Sequence, residues 1–172
     1  MATKEISVQR FSLKSPRPFD DVVAALEGAI GHPDMKRFQK KIAAAKDFSA
    51  MEKTILRAVA PSGLMEFARF DLGEILRKES GDSTPRSLRL VAGNPLIMKE
   101  MVKHVPDAGS YAPVTILIDE RPDGVHLSYD RMASFLAPYG DAEALKVAQD
   151  LDAKVEALLT KAATSPEVSA AA

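Results

Sequence analysis

Residues 114–130, VTILIDERPDGVHLSYD, decide the fold. Val114 to Ile118 is a short, wholly apolar run, the pattern of a strand at a sheet centre or buried on both faces. Asp119-Glu120-Arg121-Pro122-Asp123-Gly124 supplies turn chemistry, after which Val125, Leu127 and Tyr129 alternate with His126, Ser128 and Asp130. The two runs form a hairpin, so the sheet is at least partly antiparallel. An unbroken alternation of strands and helices around a parallel sheet has no place for it.

Working outward from this hairpin, Ser87 to Ala92 is a further strand, dominated by Leu88, Leu90 and Val91. It runs into Gly93-Asn94-Pro95, where Asn94 suits an N-cap and Pro95 the first helical position. The helix carries Ile97, Met98, Met101, Val102 and Val105 inward and ends before Pro106. On the other side, Asp141 to Ala163 forms one long helix marked by Ala144, Ala148, Leu151, Val155, Leu158 and Ala162, with Leu145 and Leu159 as a second apolar edge. Residues 164–172 read as a flexible tail.

Towards the N-terminus, Leu64 to Phe70 alternates as a strand, Asp71 is placed to cap a short helical turn through Ile75 and Leu76, and Gly81 to Pro85 is a polar loop. Glu5 to Lys14 reads as a strand with a bulge near Gln9-Arg10, because Ile6 and Val8 fall out of phase with Phe11 and Leu13. Phe19, Val22, Val23, Leu26 and Ile30 then mark a helix stopped at Gly31. Residues 34–60 predict a helical insert of two helices, the second capped at Ser49 in a Ser-x-x-Glu box. Here Lys36, Arg37, Lys40, Lys41, Lys46, Lys53 and Arg57 outnumber Asp34, Asp47 and Glu52. With no aromatic interleaved for base stacking, this basic patch reads as the solvated outer face of the insert. The whole is α+β: two layers, a mostly antiparallel sheet with helices chiefly on one face.

The 172 residues fit a single domain over 1–163. A composition 46% apolar and 27% charged excludes wholesale disorder. Lys plus Arg at 23 against Asp plus Glu at 24 leaves no global field toward nucleic acid or anionic lipid, so nucleic acid is not an expected partner. The balance is a cancellation: the 34–60 insert is basic, while 141–172 carries six acidic and three basic residues. Without cysteine there is no disulfide, thiolate metal site or Cys nucleophile. His32, His104 and His126 make no ligand pair at helical or hairpin spacing, so neither metal nor cofactor is expected. Residues 1–14 lack the form of a secretory signal and no segment is long and apolar enough for a membrane span, so the expected location is cytoplasmic.

Leu90-Val91-Ala92-Gly93-Asn94-Pro95, the helix after it, Pro113-Val114-Thr115-Ile116-Leu117-Ile118, the Asp-Gly turn and Val125-His126-Leu127-Ser128-Tyr129 together resemble the family catalogued as domain of unknown function 302. The resemblance covers most of 5–130, with 34–60 and the long last helix as departures from the shortest members. It implies a two-layer α+β domain with an antiparallel sheet, similar to the TATA-binding-protein-like order of strand, helix, four strands and helix. It implies no activity, and a fold shared with a DNA-binding protein does not carry function.

The candidate binding residues are Asp71, Gly93, Asn94, Met98, Met101 and His126. Gly93-Asn94-Pro95 places backbone N–H groups at a helix start, which suits either an anion or a purely structural cap. The methionines suit an adaptable apolar pocket between sheet and helices, or ordinary core filling. His126 and Asp130 share a strand face, but four residues along a strand separate them by roughly 13 Å. No catalytic motif is present. The reading is therefore a non-enzymatic module that binds a small amphipathic ligand or assembles as a homodimer or other homo-oligomer, through the second edge of the last helix. The alternative is an unassigned enzyme in which Asp71, Asn94 and His126 surround one polar cleft.

Overall fold

A computed structural model describes residues 3–80 and 84–164. The strands β1 (Arg10–Ser15), β2 (Met65–Asp71), β3 (Ser87–Gly93), β4 (Val114–Arg121) and β5 (Gly124–Asp130) form one antiparallel sheet in the order β1-β5-β4-β3-β2. The β4–β5 hairpin closes through Pro122-Asp123 alone, pairing Arg121 with Gly124. Gly124 has φ 136°, and a Cβ there would press on the Lys14 side chain and the Ser15 carbonyl.

Burial alternates along β4: Val114, Ile116 and Ile118 are buried, while Thr115 and Leu117 are partly exposed. The buried side meets α1 (Phe19–Ala29), α5 (Pro95–Val102) and α7 (Ala142–Thr164), which pack on one another and on the sheet. Thus α7 is the spine of the helical layer. Ala144, Ala148, Leu151, Val155, Leu158 and Ala162 are all buried along it, and Asp141 caps it by accepting from the Ala144 N–H. Its last carbonyls are met by the end of β1 and the turn after it: Ser15 Oγ donates to Ala163 O at 2.8 Å and Arg17 Nη1 to Ala162 O at 2.5 Å.

Two short helices, α2 (Met35–Ala43) and α3 (Phe48–Leu56), form a hairpin over 35–56 that docks on α5 through a second, smaller core of Phe38, Ile55 and Met65. Two more, α4 (Leu72–Ser80) and α6 (Met132–Leu136), lead from β2 and β5. Asp71 caps α4 as the sequence predicts, accepting from the Glu74 N–H at 2.9 Å.

Several expectations need correction. The first strand starts at Arg10, not Glu5, because Arg10 pairs with Asp130, the last residue of β5. Beyond that the partner turns away, and only the Arg131 N–H to Gln9 O bond continues the pairing. Val8 is left 43% exposed. The sheet's irregularity lies in β2 between Glu66 and Ala68, rather than near Gln9. α3 is capped by Asp47, which accepts from the Ala50 N–H at 2.8 Å, so Ser49 falls inside the helix. Gly31 does end α1, for a different reason. Its N–H donates to Leu64 O and its carbonyl accepts from Glu66, at an approach so close that a Cβ would collide with the Ala58 carbonyl. The second edge of α7 is no free surface, since Leu159 is fully buried and Leu145 partly so. Thr164 is the last residue of α7; the rest of the expected tail, 165–172, lies outside the described residues.

Candidate functional site

The turn from β3 into α5 forms one wall of an apolar cavity of about 300 Å³. Gly93 and Asn94 supply the turn, Met98 and Met101 the helix side, Phe67 the neighbouring strand and Leu151 the α7 side. Four of the six predicted binding residues therefore share one cavity. They meet because a strand end and the first two turns of the following helix stay close whatever the rest of the chain does. Gly93 is required by space: a Cβ would lie 3.1 Å from Pro113 Cβ, on the opposite wall.

Asn94 makes two bonds. Its Oδ1 accepts from the Leu96 N–H and its Nδ2 donates to Gly63 O, each at 2.9 Å. This leaves one amide hydrogen and one acceptor site on the side chain. An anion at this helix start finds little: Pro95 has no N–H, and Asn94 has taken that of Leu96.

Asp71 stands elsewhere. In the β2–β3 ladder it pairs with Leu88, while Gly93 pairs with Met65 at the other end, roughly 20 Å away at strand rise. It lines a groove of about 970 Å³ together with Arg17, Arg69, Arg77, Arg86 and Arg121. Four of these are held by carboxylates. Arg86 forks onto Glu120 at 2.8 and 3.0 Å and reaches Asp20 at 2.8 Å; Arg69 forks onto Glu66 and meets Glu27; Arg77 binds Asp71 and Arg121 binds Asp119. Arg17 instead serves the end of α7. Against the opposing effect of desolvation, the Glu74 N–H and Arg77 hold the Asp71 carboxyl below the usual range. The Arg86 guanidinium does the same for Glu120.

His126 belongs to neither place. Its Nε2 meets Asp123 Oδ1 at 2.8 Å in the hairpin turn, where Lys14 also reaches Asp123, and Asp130 pairs with Arg10. Asp71, Asn94 and His126 thus share no cleft. Among the described residues no group of three or more His, Asp or Glu is placed to hold a metal ion, and no helix is long and apolar enough to cross a membrane.

The polar centre that sequence reasoning missed is Asp152. Buried within α7, it accepts from the Tyr129 hydroxyl, from the Met132 N–H at 2.7 Å and from the Ala133 N–H at 3.0 Å. It thereby ties the start of α6 to α7. Burial pushes its carboxyl above the ordinary range, and the three donors only partly pull it back. Burial also raises the Tyr129 hydroxyl, with the bond to Asp152 adding to it. The signal was present: Asp152 sits at i+4 from Ala148 and i−3 from Val155, a carboxylate inside the apolar stripe.

A family model described as "Domain of unknown function DUF302" matches residues 38–162. The match takes in most of the α2–α3 hairpin and nearly all of α7, both expected as departures, while β1 and α1 precede it. Comparison with curated proteins gives no match. Among solved structures, the crystal structure of an uncharacterized conserved protein DUF302 from Bacillus stearothermophilus is similar in fold, with a TM-score of 0.62 and 12% identity over 89% of this chain and 97% of that one.

Proposed function

Since the chain belongs to the DUF302 family, whose description attaches no activity, we propose from its own geometry that it is a non-catalytic binding module taking a small amphipathic molecule into the cavity beside Gly93-Asn94. The observation that carries this is the cavity itself. About 300 Å³ is the lower end of the size range for small-molecule pockets, and its walls are methionine, aliphatic and phenyl groups, with Asn94 as the polar group. The unused donor and acceptor on Asn94 suit a ligand's polar end, and Met98 and Met101 adapt to the shape of its apolar part. The enzymatic alternative loses its premise, because its three residues stand apart.

Labelled methionine methyl groups test this with octanoate as probe. Met98 and Met101 are expected to shift saturably, while Met35 and Met51, in the smaller core of the α2–α3 hairpin, stay still. Met98→Trp, which fills the cavity from a partly exposed position, should abolish the shifts without unfolding the chain. Equal shifts at all methionines, or none, overturn the reading.

Self-association is a second reading, now resting on a different surface from the one expected. β2 is an edge strand and exposes Phe70, and the adjoining α4 exposes Ile75, at 71%, and Leu76. An apolar group beside an open strand edge suits pairing with a second copy across a twofold axis. Sedimentation equilibrium should show a dimer that Ile75→Glu dissociates; a monomer at tens of micromolar removes this reading.

A further inference from the structure

We propose that the cleft between α2 and α3 binds a phosphate group, with Arg37, Lys41 and Arg57 as its counter-charges. The cleft holds about 310 Å³, with Phe38 and Ala58 among its apolar lining. Two cations from α2 and one from the C-cap of α3, Arg57, line it, and the carboxylate among its lining residues is Asp34. That carboxylate is already engaged: its Oδ1 accepts from the Arg37 N–H as the cap of α2, and its Oδ2 lies 3.5 Å from Arg37 Nε. Lys41 and Arg57 have no acidic partner among the described residues, and neither do Lys36, Lys40, Lys46 and Lys53 around them. Arg57 is set apart from the other arginines, each of which has a carboxylate, carbonyl, hydroxyl or aromatic partner.

The hairpin also works against itself. Lys36 and Lys40, Arg37 and Lys41, and Lys53 and Arg57 are like-charged pairs at i, i+4, an arrangement that destabilises a helix. One of these pairs, Arg37 and Lys41, lies wholly in the cleft lining and Arg57 of another joins it there, so an anion of two or more charges in the cleft would relieve their repulsion. A single carboxylate would leave charge uncompensated, whereas the planar fork of an arginine beside a flexible lysine matches the several oxygens of a phosphate. This site is separate from the apolar cavity, and either can fail without the other.

The test titrates the full chain with inorganic pyrophosphate at low ionic strength, reading the side-chain Nε–H signals of Arg37 and Arg57. Saturable shifts are expected, weakened about tenfold or more by Arg57→Gln and little changed by Lys46→Gln, which lies on the patch but outside the cleft. Co-sedimentation with phosphatidylglycerol vesicles then locates the phosphate. Sedimentation lost in Arg57→Gln assigns it to a lipid headgroup; pyrophosphate binding without sedimentation assigns it to a free phosphate ester. No shift beyond that given by chloride at matched ionic strength, or equal weakening by Lys46→Gln and Arg57→Gln, overturns the proposal. So does oligonucleotide binding that depends equally on all the unpaired cations.

Discussion

The groove at the Asp71 end of the sheet and the α2–α3 hairpin are both rich in cations, yet they differ in every other respect. In the groove, Arg69, Arg77, Arg86 and Arg121 each meet a carboxylate, and Arg86 joins residues from α1 and β4 that lie far apart in the chain. On the hairpin, six exposed cations have no ion-pair partner among the described residues. The difference comes from what stands opposite. The acids at the sheet end come from α1, β2 and β4, which stand around the arginines, whereas among the described residues no element covers the cations of the hairpin, which are all exposed. A basic residue is a structural clamp or a free charge according to its surroundings, and the free or weakly held kind is the one open to a ligand.

This contrast can be tested, beginning with its extreme. Among the described residues Asp152 is the charged side chain that is buried, held by three donors. Asp152→Ala should cost about 3 kcal/mol in urea unfolding, because it strands buried donors. A loss near zero would mean that α6 and α7 are joined by packing alone. Next, Arg86→Ala should cost about 1 kcal/mol, while Arg57→Ala stays within about 0.5 kcal/mol. Equal losses would erase the distinction between clamp and free charge.

The pH dependence is smaller and has a definite sign. Arg86 holds Glu120 below the usual carboxylate range, so this pair contributes stability above the unfolded value of about 4.3, and the contribution is lost as pH falls through the lower folded value. The stability gap between the natural protein and Glu120→Gln should therefore shrink between about pH 6 and about pH 3. Smallest is the effect of salt. Screening should protect the α2–α3 amides in hydrogen exchange by a few tenths of a kcal/mol, and should weaken the Arg86–Glu120 contact. The same sign in both places would contradict the difference between a paired groove and an unpaired hairpin.

Much of the fold is readable from local chemistry. The β4–β5 hairpin, the caps at Asp71 and Asn94, and the stripe of α7 each depend on residues within a few positions of one another. Errors arose where two local solutions were equally good: Asp47 and Ser49 both suit a cap, and the helix takes the earlier one. They arose again where a distant partner decides. Ile6 and Val8 alternate well enough for a strand, but β5 has ended before it can pair with them. The candidate site divides in the same way. Gly93, Asn94, Met98 and Met101 meet because they are contiguous, whereas the strand order places Asp71 and His126 elsewhere.

By itself, then, the sequence determined an α+β domain, the approximate place of most of its strands and helices, and the turn that builds the apolar cavity. Those features follow from hydrophobic period, capping and turn chemistry, which act over one or two turns of chain. The tertiary structure alone decided that Leu159 is covered, that Asp152 is a satisfied core carboxylate, and which cations are neutralised. Burial and ion pairing depend on which elements stand opposite each other, and here they join residues as distant as Asp20 and Arg86, whose meeting no local pattern encodes.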